Sequence, residues 1–375
     1  MTSVHSVLVV GGGFAGCALA TLLGRDGVAV EIVERKPDFT VYGSGITLQG
    51  AALRVLREVG VWDELRQYGY DFDSLGIRSA DGQLLAELPD ARSGGPDLPA
   101  TLGAYRPKLA ELLANAAVAA GAKVRLGTSV ESFTQDTDGV DVVFSDGDTG
   151  RYDLLVGADG VRSQTRRQLG IDVTPQPVGM GIWRVHATRP AEVTRTDLVY
   201  NGPCYIAGYC PTGPDTLYAY LVEKSRDRFS DTPEQRVAAM RELSEAYHGP
   251  WDAIREDITD PDRINYTHFE SLIIDGPWNR GRAMVIGDAA HACPPTLALG
   301  AAMALEDASV LAELLLTRDV LDQNLFDAFG ERRFDRAKTV VNGSMQLAQW
   351  LLDGKTDADV PGLMGGINAL ISQPA

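Results

Sequence analysis

The chain has 375 residues, 45% of them hydrophobic and 23% charged, enough for two domains around a large core and ordinary for a water-soluble protein. Its 34 Lys+Arg against 51 Asp+Glu leave a net charge of −17, which argues against nucleic acid or an anionic membrane as partner, since both attract basic surfaces. The four cysteines (Cys17, Cys204, Cys210, Cys293) show no CxxC spacing and the five histidines no metal-ligand spacing with them, so a reducing, cytoplasmic setting without a metal is expected. The apolar run 7–24 lacks a basic leader and is broken by glycines, and no other run would span a bilayer without a charge or proline.

In chain order, the β-branched run 4–10 reads as a buried strand and is followed by Gly11-Gly12-Gly13-Phe14-Ala15-Gly16. A helix over 17–24, a turn at Asp26-Gly27 and a strand over 28–34 complete one βαβ unit. Apolar spacing at Leu53, Leu56 and Val59 predicts a helix over 48–59. Residues 75–88 read as a hairpin turning at Asp81-Gly82, and 107–120 as a helix preceded by Tyr105 and Arg106. From 124 to 156 short strands turn at Asp138-Gly139 and Asp146-Gly147, ending in Gly157-Ala158-Asp159-Gly160 and a short helix.

The stretch 178–274 is richer in aromatics and alternates like sheet at 181–188, 204–210 and 217–223, interrupted by a helix over 232–247. Strand character returns at 283–287, helices follow over 301–317 and 326–352, and the residues after Gly354 read as a lightly ordered tail. The organisation expected is a discontinuous nucleotide domain (1–72, 102–176, 276–330), an inserted sheet domain (73–101, 177–275) and a C-terminal helix and tail (331–375).

Glycines at 11, 13 and 16 suit a tight turn, close approach of a pyrophosphate and helix–strand contact, with a helix N-terminus supplying unpaired N–H groups. Glu34 ends the second strand, where a carboxylate accepts from a ribose diol and repels a 2′-phosphate; NAD and FAD both suit it. Near the far end, Gly287-Asp288 closes a strand, Pro294-Pro295 stiffens the chain and Gly300 opens an alanine-rich helix. The first amides of that helix, at Ala301 and Ala302, suit a group that becomes negative, such as the N1–C2=O edge of a reduced flavin.

These segments, in this order, resemble the group A aromatic-hydroxylase class of FAD-dependent monooxygenases, which includes p-hydroxybenzoate and salicylate hydroxylases. The resemblance covers 4–344 and implies an α/β fold: a Rossmann-like FAD-binding domain with an inserted mixed β-sheet substrate domain and C-terminal helices. It implies that Gly11, Gly13, Phe14, Ala15, Gly16, Glu34, Arg35 and Val130 hold the ADP half of FAD. Arg106 and Asp288 would lie near the pyrophosphate and ribityl, and Asp159-Gly160 would touch FAD and a transient NADH or NADPH. Gly300, Ala301 and Ala302 would cradle the ring, with the Pro295 carbonyl facing substrate. NAD(P)H would reduce the flavin, O₂ would add at C4a, and the hydroperoxide would hydroxylate a phenolic or N-heteroaromatic ring in a dry pocket.

One departure is visible: the class often reads Gly-Gln-Gly-x-Asn where this chain has Ala298-Leu299-Gly300-Ala301-Ala302, so only a backbone-made ring site survives here. In the inserted sheet, alternation puts Tyr205, Ala207 and Tyr209 on one face, Tyr218 with Tyr220 on another, and Ile182, Arg184 and His186 opposite Trp183. His186, Tyr205 or Tyr218 could relay the proton of a phenolic substrate. Tyr200 falls where benzoate hydroxylases keep a pocket tyrosine, but Pro211-Thr212-Gly213 stands where they keep a carboxylate-binding arginine. The alternatives are an oxidase or reductase of the same fold, such as a prenyl-chain reductase, and a flavin-binding protein without turnover. A halogenase lacks its Trp-x-Trp-x-Ile-Pro segment, and a plain NAD dehydrogenase leaves Gly287-Asp288 unexplained. A small aromatic substrate and O₂ are the expected partners, and the chain is read as a monomer or homodimer.

Overall fold

The computed structural model describes residues 2–39 and 43–375. Its first strand, Ser6–Val10, is apolar and buried on both faces, the pattern of a central parallel strand. It pairs in parallel with Ala29–Glu34 on one side and Leu154–Gly157 on the other. Lys123–Leu126 extends this sheet at one edge, and Ala283–Val285 with Asn279–Arg280 at the other, giving six strands. Helices Phe14–Arg25, Arg106–Ala119 and Gly300–Thr317 cover it and share its core. A three-stranded antiparallel sheet, Val130–Gln135, Val140–Phe144 and Thr149–Tyr152, turns at the two Asp-Gly pairs.

The second large sheet has eight strands, with Gln176–Thr188 flanked by Ile264–Ile273 and Thr216–Lys224. Ile206–Pro211 and Thr196–Val199 follow, and the hairpin Ser74–Arg78/Leu84–Pro89 forms its edge by parallel pairing with Thr196–Val199. One face of this sheet (Trp183, Val185, Ala207, Tyr209, Leu221) packs on Tyr247 and on Trp251 and Ile254 of a helix, Pro250–Asp257, that alternation in the sequence did not indicate. The opposite face packs toward the long helix Gln323–Leu352, which runs without a break through residue 330.

Two local readings change. Tyr205 lies beside Ile206 and Val222 in the cluster facing the long helix, while Tyr209 is buried on the other face, hydrogen-bonded to Asp197 at 2.8 Å. The alternation breaks because both Tyr205 and Ile206 oppose Val222, which places an extra residue at the strand's start. The residues after Gly354 are not a loose tail: Val360–Ile371 is a helix whose Ile367 and Ile371 are buried. Its last carbonyls accept from Arg336, and Ile367 sits over Gly343, where a Cβ would come within 2.5 Å of it.

Candidate functional site

The glycine turn is dictated by space. Gly11 has φ +107 and lies against the Ala158 carbonyl, and a Cβ on Gly16 would fall 2.1 Å from the Gly11 oxygen. Gly13 differs: it caps the helix Phe14–Arg25 without a side-chain hydrogen bond, and a Cβ there would meet nothing within 4 Å. The helix N-terminus therefore opens onto a space the protein does not fill, with no acidic residue in its first turn. Glu34 accepts from the Gly12 and Lys36 amides, both at 2.9 Å, which fixes its carboxylate at the strand end. Arg35 is exposed beside it; Val130 is buried, its carbonyl accepting from Gln164 at 3.3 Å.

A second uncapped N-terminus belongs to Gly300–Thr317, which begins at Leu299 without a side-chain hydrogen bond. The two helices meet at the Gly287-Asp288 turn: a Cβ on Gly287 would lie 3.2 Å from Ala304 and 3.5 Å from Ala15. Asp288 is exposed on the wall of the cleft, where the protein around it still desolvates the carboxyl and raises its pKa while His291 and Arg106 pull against that. The Arg106 guanidinium lies 5.6 Å from the Phe14 ring, and burial lowers its pKa against the attraction of Asp288.

The turn itself is held from behind. Asp307 accepts from the Gly287 amide at 2.8 Å, pairs with His291 Nε2 at 2.6 Å and takes Arg333 Nε at 2.7 Å. Burial would raise its pKa, but His291 and Arg333 overcome that and hold it below the usual carboxylate range. Arg333 and Arg336 also grip Glu306, with Arg54 at 3.1 Å from it. Arg166, likewise buried, donates to the carbonyls of Ala289, Val161 and Val173 and so ties this turn to the Asp159 segment. None of these supports was read from the sequence as a site residue; two adjacent acids in an alanine-rich apolar helix were the available signal.

Two expected contacts are spoken for within the protein. The Asp159 carboxylate accepts from Ser163 Oγ, the amides of Gln164 and Thr165 and Thr165 Oγ1, capping the following short helix. The Pro295 carbonyl accepts the Ala298 amide at 3.2 Å in a tight turn, leaving one lone pair for any other partner. Gln49 Nε2 donates to the Leu297 carbonyl of that loop at 2.7 Å, and Thr296 Oγ1 donates to the Ser344 carbonyl. Ala298 adopts φ 54, ψ 30, a left-handed conformation that disfavours a Cβ.

Across the cleft stands the inner face of the eight-stranded sheet. Arg184 and His186 are in register with Tyr220 and Tyr218. Tyr218 Oη lies 2.8 Å from Thr47 Oγ1, its ring 5.4 Å from that of Tyr220, and burial raises both hydroxyls' pKa values, so they stay neutral. Burial raises the Tyr200 hydroxyl likewise. His186 stacks on Tyr105 at 4.6 Å; burial, then Arg263, lowers its pKa, and Nε2 has no hydrogen-bond partner among the described residues. Gly43 packs on Arg106, while Gly45 and Thr47 pack on Tyr218 of the sheet, so this short segment borders both the glycine-rich cradle and the sheet face and joins them in one cleft. Tyr205 lies apart from His186 and Tyr218, in the apolar cluster with Ile206 and Val222.

The cradle fits an adenine–flavin dinucleotide: two uncapped helix N-termini, open space at Gly13, a carboxylate at the strand end and Asp288 in the cleft. Glu34, Arg106, Asp288 and the amides at Gly300, Ala301 and Ala302 are the groups that would hold it.

Comparison with known proteins agrees. A family profile described as FAD binding domain matches residues 4–344. The 2-heptyl-3-hydroxy-4(1H)-quinolone synthase of Pseudomonas aeruginosa is 32% identical over 82% of this chain and 80% of its own. Aurachin C monooxygenase/isomerase of Stigmatella aurantiaca is 30% identical over 92% of this chain and 90% of its own. Among solved structures, Klebsiella pneumoniae HpxO complexed with FAD and uric acid superposes with a TM-score of 0.84 at 19% identity, covering 98% of this chain and 97% of that one.

Proposed function

This chain belongs to the FAD binding domain family and is an FAD-dependent monooxygenase, and we propose that it uses NADH or NADPH and O₂ to hydroxylate a phenolic or N-heteroaromatic ring. The observation that carries the substrate side is the pairing, in one cleft, of the flavin cradle with a sheet face bearing a cation, a neutral imidazole and neutral tyrosines. Bound FAD would supply the reduced ring and the activated oxygen. The protein's share is to bind, to orient and to manage one proton.

In this reading His186, neutral at physiological pH, takes the proton of a ring hydroxyl; its Nε2 is unpartnered among the described residues but enclosed beside the Tyr105 ring, so a substrate reaches it only with a shift of those surroundings. Tyr218, fixed by Thr47, orients the ring oxygen, and the Pro295 carbonyl, with one lone pair beyond its bond from Ala298, would face the substrate. Tyr205 contributes apolar wall. The discontinuous segments 1–72, 102–176 and 276–330 hold the nucleotide, and 73–101 with 177–275 hold the substrate. We propose a site complete within one protomer, in a monomer or a homodimer. No helix of the described residues is long and apolar enough to cross a membrane, and the cysteines are unpaired, which supports a cytoplasmic setting.

The test is reconstitution with FAD, then a panel of phenols, hydroxypyridines and quinolones scored for ligand-stimulated NAD(P)H consumption and a product heavier by one oxygen. A substrate that itself reduces the flavin without air would make the protein an oxidase or reductase and overturn the hydroxylase reading.

A further inference from the structure

Arg184, half-buried in the wall of the cleft, has neither an acid nor a set of carbonyls among the described residues to answer its charge. Arg78 has Asp197 at 2.6 Å, Arg228 has Glu223 at 3.1 Å, and Arg333 has Asp307 at 2.7 Å. Arg166, which lacks an acid contact, spends its donors on three carbonyls. Arg184 makes one hydrogen bond among the described residues, from Nη1 to Thr267 Oγ1 at 2.9 Å. The ionisable groups that reach it are Tyr218, Arg106 and Tyr220; two are neutral and the third is another cation. Burial pushes its pKa down to about 10, which still leaves it charged at neutral pH.

A cation in such a place is destabilising unless something answers it. Withdrawing an unpaired charge even partly from water is unfavourable, and Arg106 nearby adds repulsion. A hydrophobic residue would pack this position without that penalty. Its neighbours in the cleft are the planar rings of Tyr218 and Tyr220, one strand over. A guanidinium offers a flat fork that meets two oxygens, or one anionic oxygen, in the plane of a ring.

Resting on the flavoprotein reading above, we infer that Arg184 is the specificity-determining residue of this cleft and selects ring substrates carrying a negatively charged oxygen, as a carboxylate or as a ring oxyanion. The anion completes the missing ion pair, and the tyrosine rings hold the substrate plane. This arginine sits in the strand Gln176–Thr188, away from Pro211-Thr212-Gly213, which stands where benzoate hydroxylases keep their carboxylate-binding arginine.

The test measures dissociation constants on the FAD-loaded protein from the change in flavin absorbance, using matched pairs of similar shape. 3-Hydroxybenzoate against 3-hydroxybenzamide reads the carboxylate, and 4-nitrophenol against 4-nitroaniline reads the ring oxyanion. The charged member of at least one pair is expected to bind about tenfold or more tightly; which pair does so identifies the source of the charge. Arg184→Gln is expected to bring that ratio close to one, and Arg184→Lys, which keeps charge without the fork, to an intermediate value. Equal binding of charged and neutral members in the wild type, or an undiminished ratio in Arg184→Gln, overturns the inference. A ratio is internally controlled against partial loss of folded protein, and Arg184→Lys serves if Arg184→Gln does not fold. Failure of the protein to take up FAD refutes the flavoprotein reading; normal FAD uptake without charge selection refutes only the role of Arg184.

Discussion

Replacing Asp307 with asparagine keeps its shape and removes its charge, and the consequences can be worked through atom by atom. One oxygen of Asp307 accepts from Arg333; the other accepts from the Gly287 amide and meets His291. Asparagine has one oxygen and an NH₂ group. If the oxygen faces Gly287, the NH₂ faces the Arg333 guanidinium, donor against donor; if it faces Arg333, the Gly287 amide is orphaned. Breaking one partner of a buried pair costs about 3–5 kcal/mol. Glu306 still holds Arg333 at 2.9 Å, so we expect about 3 kcal/mol, near the low end of that range. For a chain of 375 residues the unfolding entropy is about 0.8 kcal/mol per kelvin, so Tm should fall by about 4 °C.

Calorimetry with and without FAD is the assay. Because the Gly287 amide anchors the Asp288 turn, the variant should also bind FAD more weakly. The acid side adds a sign. The folded pKa of Asp307 is depressed, so its contribution is full above the unfolded carboxylate range near pH 4 and is lost as pH falls through the lower folded value. The asparagine variant should therefore lose less stability than the wild type on acidification below about pH 4. A variant with unchanged Tm, FAD affinity and acid response would refute the view that this carboxylate supports the turn. As a comparison, Glu313→Gln removes the half-exposed partner of Arg332 and should change stability by less than about 0.5 kcal/mol.

Ala298→Gly should stabilise the protein by about 0.5–1 kcal/mol, the relief of left-handed strain less the added freedom of the unfolded chain, whereas Ala298→Val should destabilise it; urea melts of the apo form decide. Gly13→Ala should leave the apo melt nearly unchanged, because its Cβ meets no protein atom, yet weaken FAD binding tenfold or more, about 1.4 kcal/mol. Gly16→Ala should damage the apo fold itself, since its Cβ would collide with the Gly11 carbonyl, and equal effects of the two changes on the apo melt would contradict this division. Ending the chain after residue 359 should expose Gly343, leave Arg336 without the carbonyls it donates to and take one of two from Arg54, lowering both Tm and FAD content; unaltered values would make the last helix dispensable.

The parts legible in the sequence are those whose cause is local. The first βαβ unit could be read because a strand buried on both faces, a glycine turn and a helix each leave their mark within a few residues. The face shared by Arg184 and His186 followed from simple alternation, as the strand Gln176–Thr188 stays regular there. Tyr205 was misplaced because one extra residue at a strand's start reverses every side chain beyond it. The last helix opens with a local signal, the Asp359 cap and Pro361 in its first turn, but the glycines 362, 365 and 366 weigh against it; burial of Ile367 and Ile371 and the arginine-bound carbonyls supply what propensity does not.

The same distinction runs through the site. The residues expected to touch FAD sit in short motifs, but what holds those motifs in position is distant in the chain. Gly287 depends on Asp307, Asp307 on Arg333, the Leu297 carbonyl on Gln49, and Glu306 on arginines that also bind the last residues of the chain. Such a network is costly to bury and gives little net stability compared with an apolar core. Its value lies in geometry, since each carboxylate oxygen fixes the direction of a specific donor. That is why a loop whose class usually carries Gly-Gln-Gly can carry Ala-Leu-Gly here. In the proposed reading the ring site would be made of amides aimed by the helix and the turn behind it, which leaves the side chain at 299 to pack into the core, where Leu299 is almost fully buried. Exchanging that leucine for glutamine should then lower stability by placing an unpaired amide in apolar surroundings, without improving the amide-made cradle in front of it.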